Sequence, residues 1–542
     1  MRKRCVVLLL FIFFLFSILI SNLSAIALSE NFTVAANQSS FLLDIADTRG
    51  VIYDRNFQPL TGTQSRLIAA VMPCDQSADT LLRLSKTTLE RERLLKKLQE
   101  MTPFTYEVKE GSIYARGIEV FEIPQRYEDR QTALHIIGQI DPATGKGASG
   151  LEYAYDEMLS SAGGNLKIRY TTDALKRAVG APPEIIDSGY KTKAGIVLTV
   201  DKEIQAIAER ASKKIDKGAV IVMDPYTGDI IASVSRPVFN PNDPASSIND
   251  DRAPFINRAV RAYSVGSTFK MLVAAAALEQ GKGIDRSFDC YGQTEVGDQV
   301  FRCHNINGHG HIEMQEALER SCNPYFISLA QELGGNTLAY KASQLGFASA
   351  AELAPGLRCA PGTLPTKNEL AAPAAVANLG FGQGVLTATP VQIAVMMSSI
   401  VNGGGAVTPR LVAGSTTDGA KFASSTAVYA PNQVWLESAA EEVKRMLISV
   451  VENGSAKNAM PETGGAGGKT ASAQSGQFEN GKEIIHAWFA GFYPAQKPQY
   501  VIVVLVEGGD SGADIACPVF REISDGIAVY KGFENAGFLT RQ

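Results

Sequence analysis

Cysteine is scarce, with seven in 542 residues, at positions 5, 74, 290, 303, 322, 359 and 517. That density and irregular spacing exclude the disulfide-stapled scaffold of a small secreted domain. Charge of one sign is not in excess either, and a formal net charge of −5 gives no electrostatic reason to expect nucleic acid as a partner. No internal repeat or low-complexity tract is present. What is there is ordinary folded composition, 45% hydrophobic and 20% charged residues. A chain this long exceeds a single core, so two or three domains are expected.

Charge is missing altogether from one stretch. Arg2, Lys3 and Arg4 are followed by "VVLLLFIFFLFSILISNLSAIAL", and no charged residue occurs from Cys5 to Ser29. About 20 apolar residues span a bilayer as a helix, and the basic end favours the cytoplasmic side. Ala25-Ile26-Ala27 resembles a signal-peptidase site, but the length of the run favours an uncleaved anchor. Either reading puts the rest of the chain outside the cytoplasm. Residues 1–28 are therefore read as cytoplasmic tip and single-pass anchor.

Residues 29–190 read as a first extracytoplasmic domain of mixed short strands and helices. Leu at helical spacing over 78–100 predicts one amphipathic helix there. The character shifts near 190. In 191–542 an apolar run meets Asp201, a helix N-cap, with a helix to about Ile215. "GAVIVMDPYTGDIIASVSRP" follows as two strands around a turn at 224–228. Helical segments are expected at 268–280, 313–345, 386–402 and 434–453. "EIIHAWFAGFYP" and "QYVIVVLVEGG" are strands. Strands at both ends with helices between predict an α+β domain, one antiparallel sheet covered by helices.

Chemistry concentrates in that domain. In "YSVGSTFKMLVAAAALEQG" Ser267 opens a helix, where unpaired amides favour developing negative charge, and Lys270 lies one turn on along the same face. A buried lysine that loses its proton can serve as base for a hydroxyl. Alone, the pair would read as a capping serine and a surface lysine. "ALERSCNPYF" adds Ser321-Cys322-Asn323, and "TGGAGGKTASAQ" (463–474) adds Lys469-Thr470. The last stretch ends like a phosphate-binding loop, but Thr463 stands where that loop needs its first Gly. An extracytoplasmic location argues against nucleotide as well.

With S-x-x-K, S-x-N and K-T in this order, the chain resembles the penicillin-binding proteins and serine β-lactamases. "NRAVRAYSVGSTFK", "LGFGQGVLTATPVQIAVMMSSIVNGG", "HAWFAGFYP" and "CPVFREI" extend the likeness. "RGVIYDRN" and "GASGLEYAYDEML" make the earlier domain similar to the pedestal of class B members, so the resemblance covers 45–530. It implies a transpeptidase/β-lactamase-like fold and a peptidoglycan D,D-transpeptidase that takes β-lactams as inhibitors and needs no cofactor. Ser267 would be the nucleophile and Lys270 its base. Ser321 would relay a proton to the leaving D-alanine, and Asn323 would bind Lys270 and the substrate amide. Lys469 and Thr470 would hold the substrate carboxylate, and the amides of Ser267 and Ser472 would form the oxyanion hole. The partners implied are stem peptides and a membrane-embedded glycan polymerase, because no glycosyltransferase module fits before residue 190. Ala471 departs from the family's Gly, so its methyl is expected to tilt the strand or restrict the acyl group and alter β-lactam sensitivity. Val265 replaces the usual Pro and is expected to matter little.

Two other patterns are weaker. Gly-Asp-Ser-Gly at 509–512 with His135 would suit a trypsin-like site, but Ser511 and His135 fall in different predicted domains. A Gly/Asp loop reads better. Cys290, Cys303, His304, His309, His311 and Cys322 crowd one segment, compatible with a zinc site, a Cys290–Cys303 disulfide or unligated residues. No metal is assigned from sequence. Rival readings of the whole chain are a catalytically silent scaffold, supported by Ala471, and a β-lactam-sensing receptor, for which one helix and a short tip are too little. A β-lactamase would have no use for an anchor and pedestal.

Overall fold

The computed structural model describes residues 2–27, 40–109, 113–173, 175, 177, 179, 182–283, 285–479 and 481–533. Helix α1 (Arg2–Ala27) contains a 20-residue apolar segment, Val6–Ala25. At 1.5 Å per residue that is about 30 Å, the thickness of a hydrocarbon core. Among the described residues it is the one helix long and apolar enough to cross a membrane. Its leucines, phenylalanines and isoleucines are exposed, with no protein core to bury them.

Two compact units follow from the packing. The first comprises Met1–Arg49, Gly62–Arg126 and Ser160–Thr192. It carries two three-stranded antiparallel sheets, one centred on Gln64–Val71 and the other on Asn165–Thr171. Ile68, Met72, Ile123, Leu166 and Ile168 share one core, and Val71, Leu81, Leu94, Leu98 and Phe104 a second. The single helix expected over 78–100 is two, Asp75–Leu84 and Thr88–Gln99. The break is a competing cap. The Thr87 hydroxyl accepts from the Glu90 amide at 3.2 Å, and the Glu90 carboxylate accepts from the Lys86 amide at 3.0 Å.

The second unit comprises Gly50–Thr61, Tyr127–Leu159 and Lys193–Gln542. Asp201 caps α2 (Lys202–Ala211) by accepting from the amides of Glu203 and Ile204 at 3.1 and 3.3 Å. Five strands form an antiparallel sheet: β1 (Gly218–Met223), β2 (Ile230–Arg236), β3 (Gly467–Glu479), β4 (Lys482–Tyr493) and β5 (Tyr500–Glu507), in the order β2-β1-β5-β4-β3. Consecutive hydrophobic residues in β1 and β5 are buried on both faces, because helices cover the sheet on either side. Helices α3 (Lys270–Glu279), α4 (Asn323–Leu333), α5 (Pro390–Val401) and α6 (Glu437–Glu452) come between β2 and β3, and α7 (Cys517–Lys531) follows β5. The expected sheet covered by helices is what forms. The segment 313–345 divides into three helices, of which α4 is the middle one. Pro324 in its first turn is preset for a helix start and excludes a continuous run.

Candidate active site

Three elements meet at one cleft. The first is the entry to α3. Trp488 Nε1 donates to the Ser264 carbonyl at 2.9 Å, and Tyr263 and Ser264 pair with Ala388 and Thr387. The Gly266 amide donates to the Gly382 carbonyl at 2.9 Å. Thus fixed, residues Gly266–Phe269 make one 3-10 turn that presents half-buried Ser267 at the head of α3. A helix start of this kind leaves backbone amides unpaired around the serine.

The second element is the turn into α4. Ser321 adopts φ +50, a conformation uncommon for residues other than glycine. Cys322 is the N-cap of α4. Lys270 Nζ donates to the Ser321 carbonyl at 2.7 Å and to Asn323 Oδ1 at 2.7 Å, and lies 3.2 Å from the Ser321 hydroxyl. Asn323 Nδ2 in turn donates to the Arg302 carbonyl at 3.2 Å. Lys270 is fully buried. Burial drives its pKa well below the ordinary lysine value, and the charge of Lys469 adds to the fall.

The third element is β3, the terminal strand, which has a sheet neighbour on one side only. Lys469, Thr470, Ala471 and Ser472 lie opposite Ala490, Phe489, Trp488 and Ala487. Lys469 is also fully buried, and burial pushes its pKa down to about 7. The Thr470 hydroxyl is 3.3 Å from that of Ser455. The methyl of Ala471 lies beside Gly266. A Cβ added at Gly266 would come within 3.3 Å of the Ala471 methyl and 3.0 Å of that of Ala473. Ala471 occupies space beside Gly266, and β3 keeps its register with β4 from Gly467 to Gln474.

Ser267, Ser321, Asn323, Thr470, Ala471 and Ser472 line a cleft of about 330 Å³. The two lysines lie buried behind it, tied to its wall through Ser321, Asn323 and the Thr470 carbonyl. Sequence reasoning missed Arg320 and Ser455 as lining residues, and had His304 only as a metal candidate. Arg320 carried no motif signal beyond preceding Ser321. Ser511 lines this cleft too, but its hydroxyl accepts from the Asp514 amide at 3.3 Å. His135 lines a different cavity and bonds the Pro254 carbonyl, so the trypsin-like pairing is not formed.

The sequence family model "Penicillin binding protein transpeptidase domain" matches residues 218–525. The chain belongs to the penicillin-binding protein transpeptidase family. Stage V sporulation protein D of Bacillus subtilis is 30% identical over 96% of this chain and 85% of its own length. Peptidoglycan D,D-transpeptidase MrdA of Acinetobacter baumannii is 26% identical over 91% of this chain and 82% of its own. With both units covered, this is a class B penicillin-binding protein. In fold it is similar to the D,D-transpeptidase domain of a peptidoglycan glycosyltransferase from Eggerthella lenta (TM-score 0.64, 24% identity, 90% of this chain and 99% of that one). It is similar as well to penicillin-binding protein A of M. tuberculosis, solved as a ceftriaxone acyl-enzyme complex (TM-score 0.57, 25% identity, 61% of this chain and 80% of that one). This penicillin-binding protein thus has its three motif segments in one cleft.

Proposed function

We propose that this chain is a peptidoglycan D,D-transpeptidase whose reacting group is Ser267. The observation that carries the reading is Lys270, a buried cation-forming side chain held by Ser321 and Asn323 at the head of the helix that bears Ser267. A lysine there is neutral enough to accept a proton. Ser267 Oγ attacks the carbonyl of the penultimate D-alanine, and its proton passes to Lys270. The tetrahedral oxyanion accepts from the amides of Ser267 and Ser472. When the peptide bond breaks, Ser321 passes a proton from the lysine to the departing D-alanine. The acyl group stays on Ser267 until an amine of a second stem peptide attacks, releasing the serine and closing the cross-link. Water in place of the amine gives carboxypeptidation. Lys469, protonated, attracts the terminal carboxylate, and Thr470 and Asn323 orient the peptide. A β-lactam enters the same sequence and stops at the acyl-enzyme.

As functional regions we keep an anchor at 1–28, a pedestal at 29–190 and a transpeptidase at 191–542. α1 holds the protein in the membrane with the cleft on the extracytoplasmic side, and a membrane-embedded polymerase supplies the glycan strands. Intact-mass spectrometry after incubation with penicillin tests the reading. Wild type is expected to gain one penicillin mass, and Ser267→Ala none. An adduct that survives in the variant, or no adduct on folded wild type, rejects it.

A further inference from the structure

Glu507 closes β5 and has no part in the acyl transfer proposed above. Its Oε1 accepts from Arg258 Nε at 3.0 Å and from the Tyr263 hydroxyl at 2.5 Å. Both donors belong to the segment that runs into Ser267. Arg258 is 3% exposed, and its other two nitrogens donate to the carbonyls of Arg252 and Ala253 at 2.7 and 3.1 Å. A guanidinium with every nitrogen occupied holds its carboxylate in one place. The Glu507 amide is fixed as well, donating to the Lys217 carbonyl at 2.8 Å. Burial, and after it the charge of Glu507, raises the Tyr263 pKa, so the phenol remains a donor.

Tyr263 stands on β4. Its ring centroid lies 5.2 Å from that of His486 and 6.3 Å from that of Trp488, edge to face with both. Burial lowers the His486 pKa, so an uncharged ring packs against the phenol. His486 and Trp488 are alternate residues of β4 and face the same side of the sheet. His486 is opposite Ala473 and Glu507, and Trp488 opposite Ala471 and Leu505, so the two alanine methyls lie on that side too. Gly266, the residue before Ser267, rests on those same methyls. The Ser264 carbonyl on Trp488 and the Gly266 amide on Gly382 fasten the turn close by. The Tyr263 hydroxyl fastens it at longer range, across β4 to β5.

We propose that Tyr263, held by Glu507, positions the Ser267 amide against β3 and thereby sets the oxyanion hole. The role rests on the proposed function, in which the oxyanion accepts from the amides of Ser267 and Ser472. Ser472 lies between Ala471 and Ala473, so a slide of the turn over those methyls changes the span between the two donors. Donors that converge on one oxygen must be held to within about 0.5 Å. A misplaced donor weakens the transition state and leaves the bound substrate unaffected. Tyr263 acts through the turn and not on the substrate. Its effect therefore belongs to the chemical step.

The test follows acylation of the full chain in detergent by benzylpenicillin, with the saturating rate and the half-saturating concentration measured separately. Tyr263→Phe removes the hydroxyl and keeps the ring. Its saturating rate is expected to fall about tenfold or more, with the half-saturating concentration within about threefold of wild type. Glu507→Ala should lose as much, and adding Tyr263→Phe to it should cost nothing further, since the two act as one unit. Glu507→Gln keeps an acceptor oxygen for the phenol and should stay within about threefold of wild type. Should Glu507→Ala not fold, Tyr263→Phe and Glu507→Gln carry the test. A Tyr263→Phe rate equal to wild type, a loss confined to the half-saturating concentration, or additive losses in the double variant overturns the role. Wild type that is never acylated rejects the transpeptidase reading and this role together, whereas normal acylation of Tyr263→Phe overturns the role alone.

Discussion

Two buried lysines within one site are the central electrostatic fact. Each loses solvation on burial, and each charge would raise the cost of the other. The stable arrangement places the proton on one of them. Lys270 experiences both burial and the repulsion of Lys469, whereas Lys469 is shifted by burial with Cys517 acting the other way. In the proposed reaction this asymmetry favours Lys270 as the lysine that accepts the proton and Lys469 as the one that carries charge. The sign for catalysis follows. Lys469 attracts a carboxylate only while protonated, and its pKa in the free protein is about 7. Acylation by penicillin should therefore fall as pH rises above about 7, a fall opposed by the substrate carboxylate once bound. Lys469→Ala removes a charge-assisted hydrogen bond worth about 1.5–3 kcal/mol, a loss of roughly 10- to 100-fold in rate. Its pH profile should lack the alkaline limb. If the limb persists in Lys469→Ala, another group controls it.

At the scale of elements, the site depends on how β3 meets the entry to α3. Ala471 and Gly266 divide one space between them, a methyl on the strand and none on the turn. Ala471→Gly is expected to leave penicillin acylation within about fivefold of wild type and to cost about 0.5–1 kcal/mol of stability, since glycine weakens a strand interior. Gly266→Ala should be far worse. Its Cβ would press on two methyls of β3 from a backbone at φ +54, driving strand and turn apart. Melting temperatures and acylation rates of the two variants, compared side by side, test this. Equal losses would mean that the methyl at 471 has no special relation to 266. This complementarity was beyond reach in the sequence, because 266 and 471 are 205 positions apart and nothing local marks their contact. Legible, by contrast, were the strands β4 and β5, whose unbroken apolar runs announce burial on both faces. So was Asp201, a cap that needs only its own neighbours. The helix at 78–100 was misread where two hydrogen bonds around Thr87 outweighed a continuous leucine stripe. Among the site residues, those in short motifs were legible. Ser455 reaches the cleft only through long-range packing, and Arg320 was marked by nothing but its place before Ser321.

Over the whole molecule, the chain returns twice between its two units. Segments 50–61 and 127–159 pack with the second unit though they lie among first-unit residues in sequence, and no composition shift marks them. What the sequence does mark is the hydrophobic asymmetry of the ends, an apolar α1 against an ordinary folded remainder. An exposed helix of Val6–Ala25 is stable only where lipid replaces water around it. In the proposed topology Arg2, Lys3 and Arg4 favour the cytoplasmic face for one end, and a helix that crosses once would leave all that follows on the other side. Tyr114, 96% exposed in the first unit, makes a reporter. Tyr114→Cys in intact protoplasts is expected to gain label from a membrane-impermeant maleimide over the wild-type background. Lys3→Cys, in a chain that also carries Cys5→Ser, should gain it only after permeabilisation. The reverse pattern would place the cleft in the cytoplasm, away from any cell-wall peptide, and would defeat the transpeptidase reading at the level of the whole molecule even with the chemistry of Ser267 intact.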